Sequence, residues 1–374
     1  MNQVRVNFFG DFVAKDCLPC NVSKELKDVL EAASINVVNF EAPVHTNSSQ
    51  SHKSGPSLSQ DKQGTDWLER QGFNMITLAN NHMMDYGEIG LIETMQSFSH
   101  STILGAGSWE NAYKPAIIEI NGIKIGFLAL THCEFGTLTD KYDTREFVQN
   151  GTAWINHPCV DSIIVETKKN VDYLIVLPHA GLEGVEQPLP EWRDRYRSFI
   201  DLGADAVIAS HPHIIQGYEE YKSHPIFYSL GNFFFPWSIM KADSWQKSLC
   251  VTLCITKEKL SFEYHYLKFK DSSIEMDSFS SAQEYMGRIM DTLNDKHKYT
   301  CFIDEVCLQS LSSYDLVFYR SGMAPWFTFK DVFNLKKIVG RFLKGDFIHA
   351  LNSIRCETHR YALLRGWKLK YNIQ

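Results

Sequence analysis

Residues 73–82 read Phe73-Asn-Met-Ile-Thr-Leu-Ala-Asn-Asn-His82, a short apolar run that ends in two amides and an imidazole. Other apolar runs of similar length occur along the chain, and amphipathic stretches of helical period separate them. The runs are 4–9, 35–40, 171–177 and 206–209, and the helical stretches are 23–33, 66–71, 88–98, 159–169 and 191–202. This alternation predicts an α/β fold whose strands are covered on both faces.

Turns and loops add detail to this prediction. Asn121-Gly122 separates two further apolar runs, 115–120 and 123–130, and this dipeptide is typical of a two-residue β-hairpin. A mixed sheet with an antiparallel portion is therefore expected. Residues 42–60 are polar and have no apolar period, so they predict a long loop, and 131–154 is a second open stretch.

The pattern changes after about residue 270, where polar, helix-compatible segments such as 281–296 replace the alternation. We therefore predict an α/β domain over residues 1–270 and a mainly helical C-terminal extension over 271–374. Residues 331–371 form a basic tail in which apolar residues recur at helical spacing: Leu335, Ile338, Val339, Phe342 and Leu343. Such a helix lies on an anionic membrane, docks on a partner or packs on its own domain.

Charge and cysteine content narrow the class of protein. The net charge is −7, and the last 44 residues carry nine Lys and Arg against three acids, which leaves about −13 on the rest. An acidic body argues against nucleic-acid binding. Nine cysteines without regular spacing fit reduced thiols, and no run reaches the roughly 20 apolar residues of a membrane helix, so a cytoplasmic location is expected.

Metal-binding side chains follow the predicted strands, at the edge where ligands bind in open α/β sheets. Each has an ordinary structural explanation alone, such as a cap or a buried histidine, but their recurrence at five strand ends predicts a common site. The residues are Asp11, Asn39, Glu41, Asn80, Asn81, His82, His179, His211 and His213. A mixed oxygen and nitrogen set favours Zn, Mn or Fe over Mg or Ca.

These strand ends also carry ordered motifs. They are Gly10-Asp11, Asn39-Phe40-Glu41, Leu-Ala-Asn-Asn-His at 78–82, Asp85-Tyr86-Gly87, Gly203-Ala204-Asp205, His211-Pro212-His213 and Tyr-Ser-Leu-Gly-Asn-Phe at 228–233. Over roughly residues 4–236 the chain resembles the CapA, poly-γ-glutamate capsule synthesis (PGA_cap) family, which is related to the calcineurin-like metallophosphoesterases. The resemblance implies a calcineurin-like metallophosphatase fold of mixed β-sheets flanked by helices.

The resemblance also implies roles for individual residues. Asp11 and His213 would hold one divalent ion, Glu41 would bridge, and Asn81, His179 and His211 would hold a second, with Mn, Zn or Fe expected. His82 would be the general acid, oriented by Asp85 three residues later. Lys53 and Asn80 would contact an anionic substrate, and Asn39 and Asn232 would support the ligands.

The chain departs from the metallophosphoesterase pattern at two places. The usual Asp-x-His is absent because Phe12 and Val13 follow Asp11, so the first ion would lack the imidazole that this motif supplies. Ala180 follows His179 where the capsule family usually has a tryptophan. Among other residues, Arg193 and Arg197 could meet a phosphate, although a solvated helix face is the simpler interpretation. His132, His45, His52 and His224 are interpreted as structural or surface residues.

The leading hypothesis is a metal-dependent phosphatase or phosphodiesterase that acts in the synthesis of a capsule or another surface polymer. One alternative is a non-hydrolytic, metal-binding assembly subunit of a capsular polymer machine. Another is an amide hydrolase or transferase acting on a γ-glutamyl-type polymer. The partners implied are an anionic small-molecule or polymer substrate, capsule-synthesis proteins and, through the basic tail, the inner face of the membrane.

Overall fold

Two mixed β-sheets pack face to face, and helices cover their outer faces. The computed structural model describes residues 3–15, 17–19, 21–139, 149–236, 242–277, 280–320 and 347–373. Alternate residues of the two sheets, such as Val6 and Phe8 against Ile125 and Phe127, fill the layer between them. The rings of Phe8 and Phe127 lie 6.5 Å apart, so the two sheets interdigitate as in other close-packed interiors.

The first sheet contains both termini of the α/β body. Its strands are β1 (Val4–Phe12), β2 (Asn21–Val22), β3 (Ile35–Phe40), β4 (Met75–Thr77), β5 (Thr102–Leu104), β15 (Asn232–Phe234), β16 (Lys247–Ile255), β17 (Leu260–Lys270) and β18 (Ser273–Met276). They lie in the order β2-β18-β17-β16-β1-β3-β4-β5, and β15 pairs with the end of β1. The strands β1, β3, β4 and β5 are parallel, so their carboxyl ends meet at one edge.

The second sheet has the order β13-β14-β12-β11-β8-β7. Its strands are β7 (Ala116–Ile120), β8 (Ile123–Thr131), β11 (Tyr173–His179), β12 (Ala206–Ile208), β13 (Ile215–Tyr221) and β14 (His224–Leu230). A small third sheet joins β6 (Ala106–Ser108), β9 (Thr137–Leu138) and β10 (Asn150–Ala153). The predicted hairpin is confirmed, since Asn121 and Gly122 have φ of 54° and 73°, as a type I′ turn requires.

Helices on the outer faces complete the core. They are α1 (Lys24–Glu31), α2 (Gln63–Arg70), α3 (Gly87–Ser97), α4 (Trp109–Ala112), α5 (Cys159–Lys168), α6 (Pro190–Asp201), α7 (Ser280–Asn294), α8 (Lys296–Arg320), α9 (Phe347–Arg355) and α10 (Glu357–Tyr371), with a 3-10 helix at Asp243–Gln246. The first three pack on the first sheet through residues such as Leu26 and Leu68. The helices α5, α6, α8 and α10 pack together on the second sheet.

The predicted mixed α/β fold is confirmed, and the five strands and five helices that define it lie within three residues of their predicted ends. Residues 42–60 contain no helix or strand, as predicted for the long loop. The boundary at 270 falls too early, because β18 pairs with β17 and continues the first sheet to Met276. A strand of four residues is too short for its alternation to be recognised in the sequence.

The C-terminal extension is helical where it is described, and it packs on the α/β body. The five apolar positions of the predicted basic helix fall within 331–346, which lie outside the described residues. The rest of the basic tail forms α9 and α10. Among the helices of the described ranges, none has the length and apolar content needed to cross a membrane.

Candidate metal centre

The strand ends of both sheets bring the predicted ligands together in the protein interior. Asp11 pairs with Asn39 of β3 and with Asn232 of β15, so three polar residues lie side by side on adjacent strands. From the second sheet, His179 ends β11, and His211 and His213 follow β12. All of the predicted ligands are buried: Asp11, Glu41, Asn81, His179, His211 and His213 are each 3% exposed or less.

Asn39 links the two carboxylates of the site. Its Nδ2 donates to Asp11 Oδ1 at 2.7 Å and to Glu41 Oε2 at 2.6 Å, which uses both amide hydrogens. Its Oδ1 accepts hydrogen bonds from Thr77 Oγ1 at 3.2 Å and Asn80 Nδ2 at 3.1 Å. The amide is thereby held in one orientation, and the carboxylates are held beside each other.

On one side of this pair lies His213. Its Nδ1 is 3.2 Å from Asp11 Oδ2 and 3.0 Å from Asn232 Oδ1. Asn232 is fixed in turn, since its Nδ2 donates to the carbonyls of His213 and Trp245, each at 3.1 Å. Asn232 therefore lies beside His213, as predicted, while its support of a metal ligand stays a prediction.

On the other side lie His179, His211 and Asn81. His179 Nε2 is 3.2 Å from Asn81 Oδ1, 3.1 Å from His211 Nδ1 and 3.4 Å from Glu41 Oε1. Four electron-rich groups thus converge on one point. Because neutral imidazole nitrogens and carbonyl oxygens cannot all donate to one another, a cation between them is the natural way to satisfy this arrangement.

The backbone around the histidines is strained. His211 has φ of 101° and His213 has φ of 61°, a region that residues with a Cβ rarely adopt. Such conformations cost on the order of 1–3 kcal/mol each and persist where the surroundings impose them. Here the strain turns both imidazoles of the His211-Pro212-His213 segment toward the carboxylates.

Burial sets the protonation states of these groups. Burial tends to raise the pKa of Asp11, but the hydrogen bonds from His213 and Asn39 lower it below its usual range. Burial and the adjacent Asp11 charge raise the pKa of Glu41 well above its usual range. Burial lowers the pKa of His179 to about 3, so its imidazole is neutral and able to ligate a metal.

The donor set fits one or two divalent ions. Glu41, His211 and His213 offer ligand atoms that all lie within 4.8 Å of one another, and so do Asp11, Glu41 and His179. Glu41 belongs to both groups, and its buried Oε1 has no hydrogen-bond partner. An unpartnered buried carboxylate oxygen among imidazoles fits a residue that would ligate a divalent ion.

A cavity of about 330 Å³ opens over this cluster. Its lining includes the cluster residues Asn81, His211 and His213, and the loop residues Lys53–Pro56 reach it from the 42–60 loop. His82 also lines it, and His82 Nδ1 is 2.7 Å from Asp85 Oδ2. The predicted contact between these two residues is present, and their catalytic roles stay predictions.

Lys53 and Asn80 are placed differently from one another. Lys53 lines the cavity, but its side chain is almost fully buried, forms an ion pair with Asp85 and has its Nζ 3.3 Å from His82 Nδ1. Burial lowers the pKa of Lys53, and Asp85 partly opposes this. Asn80 does not line the cavity, because its Nδ2 donates to Asn39 and to the Phe40 carbonyl at 2.8 Å. A substrate contact of Asn80 stays a prediction.

Some residues of the site were not predicted. His132, interpreted from the sequence as structural or surface, lines the cavity, and its ring centroid is 4.5 Å from that of His211. Glu134 and three residues of the C-terminal helices, His349, Asn352 and His359, line it as well. His132 and Glu134 follow the strand β8, so a strand-end search could have found them. The helical residues carry no such signal.

The two arginines of α6 do not face the cavity. Arg193 and Arg197 both bind Glu219 of β13, at 2.8 and 2.6 Å. Although burial opposes it, the hydrogen bonds from Arg197, Tyr228 and Arg193 lower the pKa of Glu219 to about 2. These arginines therefore form a structural ion pair, and the phosphate contact considered for them stays a prediction. Cys250 and Cys254 are free thiols buried in β16.

Comparison with known proteins adds to this geometry. A family model described as "Bacterial capsule synthesis protein PGA_cap" matches residues 12–236. The capsule biosynthesis protein CapA of Bacillus anthracis is 29% identical over 204 residues, which cover 53% of this chain and 49% of that protein. The PGA biosynthesis protein CapA of Bacillus subtilis (strain 168) is 31% identical over 221 residues, covering 58% and 57%. The chain spans about half the length of the curated relatives it matches.

Similarity to solved structures is weaker. Vps29 of Chaetomium thermophilum is 9% identical with a TM-score of 0.32, covering 73% of this chain and 94% of that one. TT1561 of Thermus thermophilus is 8% identical with a TM-score of 0.36, covering 70% and 99%. Scores at this level carry no argument about function.

Proposed function

The chain belongs to the bacterial capsule synthesis PGA_cap family, and we propose that it is a metal-dependent phosphoester hydrolase acting in the synthesis of a capsule or another surface polymer. The observation that carries this proposal is the buried cluster in which Glu41 Oε1 has no hydrogen-bond partner among the imidazoles of His179 and His213. Two adjacent carboxylates buried in the protein interior, one of them with an unpartnered oxygen, are costly without a cation.

The residues that would hold the metal follow from their positions. Asp11 and His213 lie on one side, Asn81, His179 and His211 on the other, and Glu41 between them. A divalent ion bound there supplies Lewis acidity toward phosphoryl oxygens and lowers the pKa of water. Asn39 and Asn232 hold the ligands in place through the hydrogen bonds described above.

The remaining steps fall to residues of the cavity. Asp85 accepts the Nδ1 proton of His82, so Nε2 is the atom through which His82 would protonate the departing oxygen. Lys53, beside His82 in the cavity wall, places a positive charge where an anionic substrate would bind. The cavity volume of about 330 Å³ suits a phosphoryl group with one substituent, such as the end of a polymer or a small ester.

One observation favours a second function. Val13 stands where an Asp-x-His motif would place its histidine, and both it and Phe12 are buried in the apolar core and offer no ligand. The side of the site at Asp11 therefore lacks the histidine that this motif would supply. This favours a non-hydrolytic assembly subunit that keeps one ion as a structural or ligand-holding group. A cytoplasmic location, peripheral membrane contact and capsule-synthesis partners are proposed with either function.

Metal content and turnover, measured on the same preparations, test the proposal. We expect the purified wild-type protein to contain Mn, Zn or Fe by elemental analysis and to hydrolyse members of a panel of phosphomonoesters and phosphodiesters. His211→Ala should lose the metal, because it removes a ligand. His82→Ala should keep the metal and lose turnover by about 10²- to 10⁴-fold, the usual contribution of a general acid.

His100→Ala is the matched control, since His100 is exposed and lies outside the cavity lining. It should match the wild type in both measurements. Metal uptake without turnover of any ester would select the assembly subunit, and turnover of a γ-glutamyl amide alone would select an amide hydrolase. Wild-type protein that binds no metal after reconstitution would overturn the proposed site.

A further inference from the structure

The side-chain amide of Asn81 must be oriented if it is to act as a ligand. Its Oδ1 lies 3.2 Å from His179 Nε2, facing the metal centre, and its Nδ2 donates to Glu134 Oε2 at 3.0 Å. An amide has one accepting end and one donating end of nearly equal shape. Without an acceptor behind it, the group could turn its NH₂ toward the centre and repel a cation.

Glu134 is the acceptor, and it is held by several donors. It is 6% exposed, and its Oε1 accepts a hydrogen bond from Asn352 Nδ2 at 3.0 Å. His359 Nε2 lies 3.4 Å from the same oxygen, and His132 Nε2 lies 3.3 Å from Oε2. The His132 contact is close enough for electrostatic attraction, although its N–H is not aligned for a hydrogen bond.

His132 and Trp192 both contact the hydroxyl of Thr358. Trp192 Nε1 can only donate, and it donates to Thr358 Oγ1 at 3.0 Å. His132 Nδ1 lies 3.0 Å from the same oxygen. When the hydroxyl donates its hydrogen to Nδ1, the ring proton of neutral His132 resides on Nε2 and faces Glu134. The carboxylate of Glu134 accepts from Asn81 at one oxygen and from Asn352 at the other.

Three residues of this network come from the C-terminal helices. Asn352 lies on α9, and Thr358 and His359 lie on α10, beyond residues 12–236 that match the family. Glu357 anchors the start of α10, because its Oε2 accepts from the Cys133 backbone N–H at 2.7 Å and its Oε1 from Asn156 Nδ2 at 3.1 Å. The anchor is 1% exposed and joins α10 directly to the segment that carries His132 and Glu134.

We infer that Glu134 is a positioning residue for the metal ligand Asn81, and that α9 and α10 are an integral part of the metal centre because they hold Glu134. The inference rests on the proposed function, since it assumes that Asn81 ligates a metal. It extends the site beyond the family region to a C-terminal segment whose position controls the ligand shell. Supporting residues of this kind typically change metal affinity by about 10- to 100-fold.

Titration of the metal-free protein with Mn²⁺, followed by calorimetry, tests this inference without requiring turnover. Glu134→Gln keeps the shape of the side chain but replaces one acceptor oxygen with an NH₂ donor. That NH₂ group then faces the donating Nδ2 of either Asn81 or Asn352. We expect the Kd for Mn²⁺ to rise about 10- to 100-fold. Asn352→Ala should give a smaller rise in the same direction, and Leu364→Ala, an exposed residue of α10, should give none.

The double variant Asn81→Asp/Glu134→Gln exchanges the donor and the acceptor of this contact, and so distinguishes positioning of Asn81 from a general structural effect of Glu134→Gln. With Asn81→Asp present, two carboxylates face each other, and adding Glu134→Gln restores one donor and one acceptor across the contact. In that background Glu134→Gln should therefore strengthen Mn²⁺ binding. Melting temperatures of the metal-free variants report folding, and Asn352→Ala carries the test if Glu134→Gln does not fold.

The outcomes are distinct for the two proposals. Wild-type protein that takes up no Mn²⁺ would overturn the proposed function and this inference together. Wild-type uptake with an unchanged Kd in Glu134→Gln and Asn352→Ala, or with the same effect of Glu134→Gln in both backgrounds, would overturn the inference alone. Uptake without ester hydrolysis would leave the inference standing and remove only the hydrolase.

Discussion

At the scale of single residues, the site depends on a few amides that fix the direction of each ligand. Asn39 donates to Asp11 and Glu41 from one nitrogen, at 2.7 and 2.6 Å, and so holds two carboxylates together in a buried site. Placing two like charges side by side in a low dielectric is costly unless they are hydrogen-bonded and neutralised. The amide supplies the hydrogen bonds, and the neutralising charge is the reason to expect a cation.

His82 is oriented in the same way by Asp85. Because Nδ1 of His82 donates to Asp85 Oδ2 at 2.7 Å, an Asp85→Asn variant would present a mixture of donor and acceptor there and allow the other tautomer. We expect ester turnover to fall by about 10²-fold or more while the metal content stays at the wild-type level. Steady-state kinetics and elemental analysis of the same samples measure both quantities.

The control for Asp85→Asn is Asp66→Asn, an exposed carboxylate on α2. It should leave turnover unchanged. An Asp85→Asn variant that is fully active, or one that is inactive only because it has lost its metal, would contradict an orienting role.

At the scale of elements, the strand ends explain why much of the site could be predicted. The carboxyl ends of parallel strands meet at one edge, so Asp11, Glu41, Asn81, His179 and His213 could be placed together from strand positions alone. His132 was interpreted as structural although it also follows a strand, since a single histidine in an open stretch has no motif around it. Asn39 could be placed, but its double hydrogen bond depends on distances that only the fold supplies.

Close approach of two strands makes Gly10 a sensitive position. A Cβ at Gly10 would lie 1.7 Å from the carbonyl oxygen of Gly231, and both residues precede site residues, Asp11 and Asn232. Gly10→Ala should push β15 away from β1, cost about 3 kcal/mol or more of unfolding free energy and weaken metal binding. Urea denaturation and metal content measure the two effects.

Gly287 provides a comparison for Gly10. It lies in α7 with no atom within 4 Å of an added Cβ, so Gly287→Ala should stabilise the protein by about 0.5–1 kcal/mol through helix propensity. A Gly10→Ala variant as stable as Gly287→Ala would show that the two strands can separate without loss. The contrast tests close packing at the site against a general intolerance of alanine.

At the scale of the whole molecule, the sequence predicted the α/β body far better than the way the C-terminal helices pack on it. Asn352 and His359 lie more than 200 residues from Glu134, and nothing in local periodicity relates positions so far apart. The arginines of α6 were interpreted as solvent-exposed or phosphate-binding for the same reason. Their partner, Glu219, lies on β13, and that pairing exists only after the helix has packed on the sheet.

The ion pair between α6 and β13 makes global stability depend on pH. The pKa of Glu219 is lowered from 4.5 to about 2, so its contribution is fully present above pH 4.5 and is lost as the pH falls toward 2. Glu219→Gln leaves two arginines without their counter-charge. We expect a loss of about 2 kcal/mol at neutral pH, less than for a fully buried pair because Arg197 is partly solvent-screened.

Urea denaturation of wild type and Glu219→Gln from neutral pH down to about pH 3 measures this dependence. All other carboxylates titrate alike in the two proteins, so the difference in unfolding free energy isolates Glu219, and it should narrow only below about pH 4.5. Glu220→Gln, its exposed neighbour on the same strand, should show no such difference at any pH. A difference that stays constant across the range would mean that Glu219 stabilises the molecule through packing, because a contribution from its charge must disappear when the carboxylate is protonated.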